Sequence, residues 1–134
     1  MKRDNRSKVL IVDSDEDILI ALERLLEDEG IRTTTTWSAQ QALDLLTSNG
    51  FDLLLVGDHL SGVTCEELLR ETQRRGLAAS ILVMESAGAR TSSGAPYFAS
   101  LGAVATVSKR EFGKVLETIK TLLGNELGKP ARAA

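Results

Sequence analysis

The sequence has few of the features that mark secreted, membrane-spanning or nucleic-acid-binding proteins. Only one of its 134 residues is a cysteine, Cys65, so no internal disulfide can form and a reducing cytoplasm is the expected compartment. No apolar run approaches the about 18 residues that a membrane-spanning helix needs. The formal net charge of −3 argues against general binding to nucleic acids or anionic membranes. We therefore expect a cytoplasmic protein with no membrane contact and no direct nucleic-acid contact.

The chain does contain enough apolar sequence for one folded domain. Hydrophobic residues make up 43% of it, and a domain of this length buries about two thirds of the surface that its unfolded chain exposes. We expect residues 8–124 to form that domain. Residues 1–7 should be a flexible N-terminus, and residues 125–134 a tail or the start of a linker.

Short apolar or β-branched runs alternate with helical patterns along this domain. A run of roughly four to eight apolar residues that ends in a turn signal is typical of a strand buried on both faces. The predicted strands are Lys8–Val12, Ile31–Thr36, Leu53–Val56, Ser80–Met84 and Ala103–Val107. Apolar residues at helical spacing predict a helix after each strand, the fourth of them short or irregular. The alternation predicts an α/β fold, with a single five-stranded parallel sheet and helices on both faces.

Three pairs of residues have the spacing of a capping box, which marks the first turn of a helix. They are Ser38 with Gln41, Thr64 with Glu67, and Ser108 with Glu111. Trp37 precedes the first pair, and we expect it to pack at the junction of strand and helix.

The first strand leads into a cluster of acids, Asp13–Asp17, in which only Ser14 is not acidic. Such acids can cap the next helix and stabilise its positive end. They can also form a cation site on a loop at the carboxyl edge of the sheet. The sequence leaves both interpretations open.

The third strand ends at Gly57, Asp58 and His59. In an open α/β sheet, the loops just past the carboxyl ends of the strands hold ligands and chemistry. These residues therefore occupy the place of a site. We expect His59, the one histidine of the chain, to be a surface loop residue.

Four blocks of the chain together resemble the receiver domain of bacterial two-component response regulators. They are VLIVDSDEDI (Val9–Ile18), DLLLVGDHLSGVTCEELL (Asp52–Leu69), ILVMESA (Ile81–Ala87) and LGAVATVSKREF (Leu101–Phe112). The resemblance covers about Lys8–Leu123 and implies the flavodoxin-like strand order 2-1-3-4-5. It also implies the family's chemistry, in which a histidine kinase phosphorylates an Asp after the third strand. The apparatus is completed by Mg²⁺ held by acids, a Ser or Thr after strand four, a Lys after strand five and an aromatic residue on strand five.

Most of this apparatus is altered here. Counting forward from Asp52 or back from Gly62 puts the phosphoacceptor position at Gly57, which has no side chain to phosphorylate. The resemblance assigns the acidic pair to Asp13 and Ser14, the hydroxyl position to Glu85, the aromatic position to Thr106 and the lysine to Lys109. Only Asp13 and Lys109 keep the family's residue type. The resemblance thus implies a receiver that is degenerate at its phosphoacceptor.

These departures predict a pocket without a strong metal site. Mg²⁺ prefers near-octahedral oxygen ligands that include carboxylates, and Asp13 is the carboxylate left in place, with Asp58 a weak second candidate. We hypothesise that Glu85 and Lys109 form an ion pair that fills the space of the missing phosphoryl group. The alternative is that Glu85 points to solvent.

The expected function is that of a pseudo-receiver, which is not an enzyme, needs no cofactor and acts through protein–protein interaction without phosphorylation. The resemblance implies a histidine kinase or a downstream effector domain as its partner. It also implies a homodimer as one form of the chain, through the face formed by the fourth helix, the fifth strand and the last helix.

Two other functions stay open. Asp58 and Ser86 each lie one residue beyond the acceptor and hydroxyl positions. A loop shifted by one residue would make Asp58 the phosphoacceptor, Ser86 its hydroxyl partner and Mg²⁺ the cofactor. In the other alternative, the loop Ala87–Gly94, rich in glycine and serine, binds a small ligand or an anion.

Overall fold

The computed structural model describes residues 8–60, 62–86 and 94–124. The expected flexible N-terminus, the tail from residue 125 and most of the loop Ala87–Gly94 lie outside these residues. None of the helices in the described ranges combines the length and apolarity that crossing a bilayer requires.

Five parallel strands form one sheet within the described residues, in the order β2-β1-β3-β4-β5 that the resemblance implies. The strands are β1 (Lys8–Val12), β2 (Arg32–Thr36), β3 (Phe51–Gly57), β4 (Ala78–Glu85) and β5 (Ala105–Ser108). The helices are α1 (Glu16–Glu27), α2 (Ala39–Ser48), α3 (Cys65–Arg74), α4 (Gly94–Ser100) and α5 (Phe112–Leu123). The predicted fold is confirmed, and α4 is the shortest of the helices described.

Each face of the sheet carries its own apolar core, because side chains alternate between the two faces along a strand. One core packs Leu10, Leu54 and Val83 against α2, α3 and α4. The other packs Ile11, Leu55 and Met84 against α1 and α5. This alternation also decides which face the side chains just past the strand ends approach.

The strand register brings the ends of β1, β3, β4 and β5 to one edge. Val12 pairs with Val56 across β1 and β3, and Gly57 pairs with Met84 across β3 and β4. Glu85 pairs with Ser108 across β4 and β5. The first residues after each of these strands are therefore neighbours in space.

The predicted helix starts differ in their outcome. Thr64 and Glu67 form a complete capping box at α3. Ser38 caps α2 by accepting a hydrogen bond from the Gln41 N–H, but the Gln41 side chain contacts Thr36 instead of returning to the cap.

The predicted Ser108–Glu111 capping box is wrong. Ser108 is still part of β5, because the ladder continues to the next residue, where the Lys109 N–H donates to the Glu85 carbonyl at 2.9 Å. The helix α5 begins only at Phe112, and Glu111 at its N-cap makes no side-chain capping bond.

Trp37 does not pack at the strand–helix junction as expected, because 65% of its surface is exposed. The junction is filled instead by Thr36, which is buried and accepts a hydrogen bond from the Ser38 N–H at 3.1 Å.

Candidate functional site

The candidate site lies at the carboxyl edge of the sheet, where four strand ends converge. The structure brings together Asp13 after β1, Gly57 and Asp58 at the end of β3, Ser86 after β4 and Lys109 after β5. This edge, outside the carboxyl ends of parallel strands, is where open α/β sheets hold their ligands. We call these residues the strand-end cluster.

Asp13 is fully buried and has a different partner for each of its carboxylate oxygens. Oδ1 accepts a hydrogen bond from the Asp15 N–H at 2.8 Å. Oδ2 lies 2.9 Å from Lys109 Nζ but receives no well-directed hydrogen bond. Because the Lys109 side chain is only 12% exposed, little solvent screens this pair, and the contact is mainly ionic.

The absence of a side chain at Gly57 gives this ion pair its room. A Cβ built on Gly57 would lie 2.2 Å from Asp13 Oδ2 and 3.2 Å from Lys109 Nζ. Carbon and oxygen atoms do not approach to 2.2 Å without a bond, so any side chain here would displace the pair. The Asp13–Lys109 contact thus occupies the volume into which a residue 57 side chain would project.

Asp58 is turned toward the end of β4. Its N–H donates to the Met84 carbonyl at 3.0 Å and extends the sheet by one residue. Its carboxylate accepts two hydrogen bonds from Ser86, one from the N–H at 3.0 Å and one from the hydroxyl at 2.7 Å. The same carboxylate lies 3.9 Å from Lys109 Nζ and is only 10% exposed. The acid and the hydroxyl that are displaced by one residue in the sequence therefore contact each other.

The hypothesised Glu85–Lys109 ion pair is not present, because Lys109 Nζ has Asp13 and Asp58 as its ion-pair partners. Strand alternation explains the difference. Glu85 continues the series of Ile81 and Val83, which faces α2, α3 and α4. Lys109 continues the series of Ala105 and Val107, which faces α1 and α5, as does Asp13. Glu85 itself is half-buried, and its backbone carbonyl accepts the hydrogen bond from the Lys109 N–H.

Two residues at the edge of the site and one within β5 lie outside these contacts. The exposed Ser14 donates its hydroxyl to the carbonyl of His59 at 3.2 Å. The His59 ring is 79% exposed, and its Nε2 lies 3.9 Å from Asp58 Oδ2. Thr106 is half-buried on β5 opposite Val83. None of these three side chains takes part in the Asp13–Lys109 or Asp58–Ser86 contacts.

The acids after β1 form a helix start. Asp15 is the N-cap of α1, and its side chain accepts a hydrogen bond from the Asp17 N–H at 2.9 Å. Glu16 and Asp17 occupy the first turn, where negative charge stabilises the positive end of a helix. Of the two interpretations of this cluster, the structure supports capping.

The strand-end cluster does not fit a divalent cation. Mg²⁺ needs several oxygen ligands with free lone pairs around one point. The cluster has only two carboxylates, Asp13 and Asp58, and the Lys109 ammonium lies 2.9 Å from the first and 3.9 Å from the second. The described residues contain no group of three or more His, Cys, Asp or Glu side chains that could hold a metal ion.

Cys65 lies beside the site, in the first turn of α3, and is 1% exposed. Its pKa is raised to about 12, chiefly by burial and further by the nearby charges of Glu66 and Asp58. The thiol is therefore neutral at physiological pH and packs as a small apolar group.

The sequence missed two features of this site. One is that the pair which fills the space at Gly57 is Asp13 with Lys109 and not Glu85 with Lys109, which strand alternation could have indicated. The other is a contact between α3 and α4, in which the Tyr97 hydroxyl donates to Glu66 Oε2 at 3.3 Å. No sequence pattern signals this second contact.

A comparison with known proteins gives consistent results at the levels of sequence and fold. The family profile described as the response regulator receiver domain matches residues 9–120. The chain is 33% identical over 69 residues to the response regulator SaeR of Staphylococcus aureus, a match that covers 52% of this chain and 30% of SaeR. The chain therefore matches less than a third of the length of that relative.

Two solved structures show how closely the fold agrees. The receiver domain of the Francisella response regulator 1452 has a TM-score of 0.83 at 17% identity, covering 90% of this chain and 99% of that one. A CheY-like receiver domain protein from Methanospirillum hungatei has a TM-score of 0.78 at 23% identity, covering 97% and 100%. At these identities the structures establish the fold alone. The family assignment rests on the profile match over residues 9–120.

Proposed function

The chain belongs to the response regulator receiver domain family, and we propose that it is a receiver that signals without being phosphorylated, through contacts with other signalling proteins. One observation carries this proposal. At the position that the resemblance assigns to the phosphoacceptor, Gly57 offers no side chain, and the Asp13–Lys109 ion pair fills the space.

The charges of the strand-end cluster also favour this function. Asp13 and Asp58 supply two carboxylates, and Lys109 is the one cation that contacts either of them through an ion pair in the described residues, apart from His59 if protonated. A phosphoryl group would bring further negative charge to a buried site whose lysine is already paired. Without a metal ion to offset that charge, its desolvation would be strongly unfavourable.

Receiver domains interact with histidine kinases and with effector domains, and such a protein is the partner that we propose here. Tyr97 of α4 and Val104, just before β5, are apolar or aromatic side chains that are 44% and 54% exposed. They support a docking face formed by α4, β5 and α5, which would also serve a homodimer. A cytoplasmic location, a non-enzymatic role and the lack of a cofactor belong to the same proposal.

A specific observation favours a second candidate function, phosphorylation at Asp58. Its carboxylate contacts the Ser86 hydroxyl at 2.7 Å and lies 3.9 Å from Lys109 Nζ. An acid, a hydroxyl and a lysine are thus arranged around one point, as the family's chemistry requires. Against this function stands the poor fit of the site to Mg²⁺.

An NMR titration of the isotope-labelled protein distinguishes the two functions. Mg²⁺ is added first and beryllium trifluoride second. Beryllium trifluoride binds an acceptor carboxylate together with Mg²⁺ and imitates a phosphoryl group. We expect the amide resonances of Asp13, Asp58, Ser86 and Lys109 to stay in place, because the site has two carboxylates and the Lys109 ammonium already lies close to both.

The control for this titration is a receiver that retains an acceptor Asp, which must show saturable shifts under the same conditions. Saturable shifts of Asp58 and Ser86 in the present protein would contradict phosphorylation-independent signalling and would favour the second function.

A further inference from the structure

The β2 edge of the sheet lacks the features that usually protect an edge strand. In the part of the chain that the structure describes, β1 is the one strand that pairs with β2. The pairing runs residue for residue from Lys8 with Arg32 to Val12 with Thr36, so β2 contains no bulge. Proteins usually protect such an edge with charged residues, proline or a bulge, because its backbone groups can pair with another chain. After Arg32, β2 consists of four threonines and has none of these features.

The backbone groups of Thr33 and Thr35 point to the open side of this edge. The Thr36 carbonyl accepts a hydrogen bond from the Asp13 N–H at 3.2 Å, so the backbone groups of Thr36 point toward β1. Backbone groups alternate between the two sides along a paired strand. Those of Thr34 therefore also point toward β1, and the N–H and C=O groups of Thr33 and Thr35 face the side where a further strand could pair.

The surface around this edge has very little charge. Charged residues make up 26% of the chain, but residues 33–51, which include all of α2, contain only Asp44. By contrast, α1 and α3 carry five charged residues each. Just past β2, Trp37 has 65% of its surface exposed. The cores of protein interfaces are depleted of charge and enriched in tryptophan, so β2, Trp37 and α2 together have the composition of an interface.

We propose that two copies of this chain associate edge to edge through β2, in antiparallel orientation, so that their sheets join. A two-fold arrangement centred on Thr34 places Thr33 opposite Thr35 of the second copy. Such opposed residues exchange both of their backbone hydrogen bonds, so the two pairs form four bonds. Arg32 then faces Thr36 of the second copy, and no like charges meet across the strands. The contact is short, so the dimer is weak.

A second copy suits this surface better than a charged partner does. Complementary charge gives an interface its specificity for charged partners, and β2 and α2 offer charge only at Arg32 and Asp44. The same lack of charge limits the repulsion between two copies of a chain whose net charge is −3. Because β2 and β5 are opposite edges of the sheet, the dimer leaves the docking face of α4, β5 and α5 free. It forms whether or not Asp58 accepts a phosphoryl group.

Sedimentation equilibrium of the full chain, with tryptophan fluorescence as a second signal, tests this dimer. Trp37 is the one tryptophan of the chain, so its emission should move to shorter wavelength as rising concentration covers it. Thr35→Pro removes two of the four bonds, at an N–H that does not bond to β1, and edge strands tolerate proline at such positions. We expect this variant to raise the dissociation constant of the dimer by about tenfold or more, as the loss of two backbone bonds implies.

A control variant and a second measurement separate this contact from others. Val104→Ser changes an apolar residue that is 54% exposed near the opposite edge of the sheet, and it should leave the dissociation constant unchanged. Residue-resolved amide exchange of the parent chain needs no variant. The amides of Thr33 and Thr35 should gain protection as the concentration rises, whereas those of Thr34 and Thr36 should be protected at every concentration.

Three results would overturn the β2 dimer. The first is a parent chain that stays monomeric up to about 1 mM, a concentration at which even a weak specific contact is populated. The second is a dimer that Val104→Ser weakens and Thr35→Pro does not, which would place the contact on the docking face. The third is exchange at Thr33 and Thr35 that does not depend on concentration.

Discussion

Replacing Lys109 by methionine should lower the free energy of unfolding by about 3–5 kcal/mol, the usual loss when one partner of a buried ion pair is removed. Asp13 has none of its side-chain surface exposed, and Lys109 Nζ at 2.9 Å is the ionic partner of its Oδ2. Methionine keeps the length and apolar surface of the lysine stem but leaves the buried carboxylate without a counter-charge. Urea denaturation measures the loss at constant ionic strength.

The matched control is Lys120→Met, which breaks an exposed ion pair of similar length. Lys120 Nζ lies 3.1 Å from Glu29 Oε1, with side chains 54% and 38% exposed, so its removal should change the free energy of unfolding by less than about 1 kcal/mol. Adding Asp13→Asn to Lys109→Met should recover part of the loss, since the buried charge is then gone. A loss for Lys109→Met no larger than that for Lys120→Met would refute the importance of the buried pair.

Replacing Gly57 by alanine should lower the free energy of unfolding by about 1–3 kcal/mol, although the change adds only one methyl group. The new Cβ would lie 2.2 Å from Oδ2 and 2.9 Å from Cγ of the buried Asp13. Asp13 has a short side chain that is bonded to the Asp15 N–H and paired with Lys109, so it cannot move aside freely. The expected loss therefore combines steric strain with a weaker ion pair, and urea denaturation again measures it.

Gly113→Ala provides the opposite expectation from the same chemical change. Gly113 is the second residue of α5, and a Cβ built on it would meet no neighbouring element within 4 Å. Alanine has the higher helix propensity, by up to about 1 kcal/mol. This variant should be more stable than the parent chain. If Gly57→Ala were as stable as the parent chain, the space at Gly57 would not be filled by the Asp13–Lys109 pair.

The sequence predicted the architecture because the architecture depends on local patterns. The apolar runs around Leu10, Leu54 and Leu82 are buried on both faces of a parallel sheet, which gives a continuous hydrophobic signal. The signals that end the helices are also local. Gly30 and Gly76 have positive φ angles of 80° and 61° just past α1 and α3, a conformation that favours glycine.

The strand-end cluster was less predictable, because its contacts depend on where each strand stops and on which face each side chain approaches. Ser108 and Glu111 have the spacing of a capping box, yet Ser108 remains in β5 and the box does not form. Glu85 and Lys109 are close along the sheet edge but belong to opposite faces. Spacing along the chain does not contain this information.

Asp58 is another residue whose contacts could not be predicted from spacing along the chain. The sequence placed Asp58 one residue beyond the acceptor position and left open whether it takes part in the site. The backbone of Asp58 extends the sheet by one residue, since its N–H donates to the Met84 carbonyl. The carboxylate turns toward Ser86 and comes within 3.9 Å of Lys109 Nζ.

The most direct test of phosphorylation-independent signalling is the intact mass of the protein after incubation with acetyl phosphate and Mg²⁺. Asp58→Asn is the control variant, and a receiver with an intact acceptor Asp confirms that the phosphodonor is active. We predict an unchanged mass, because Gly57 has no acceptor group and the neighbouring carboxylates are paired. A mass increase of one phosphoryl group that disappears in Asp58→Asn would contradict this account and establish Asp58 as the phosphoacceptor.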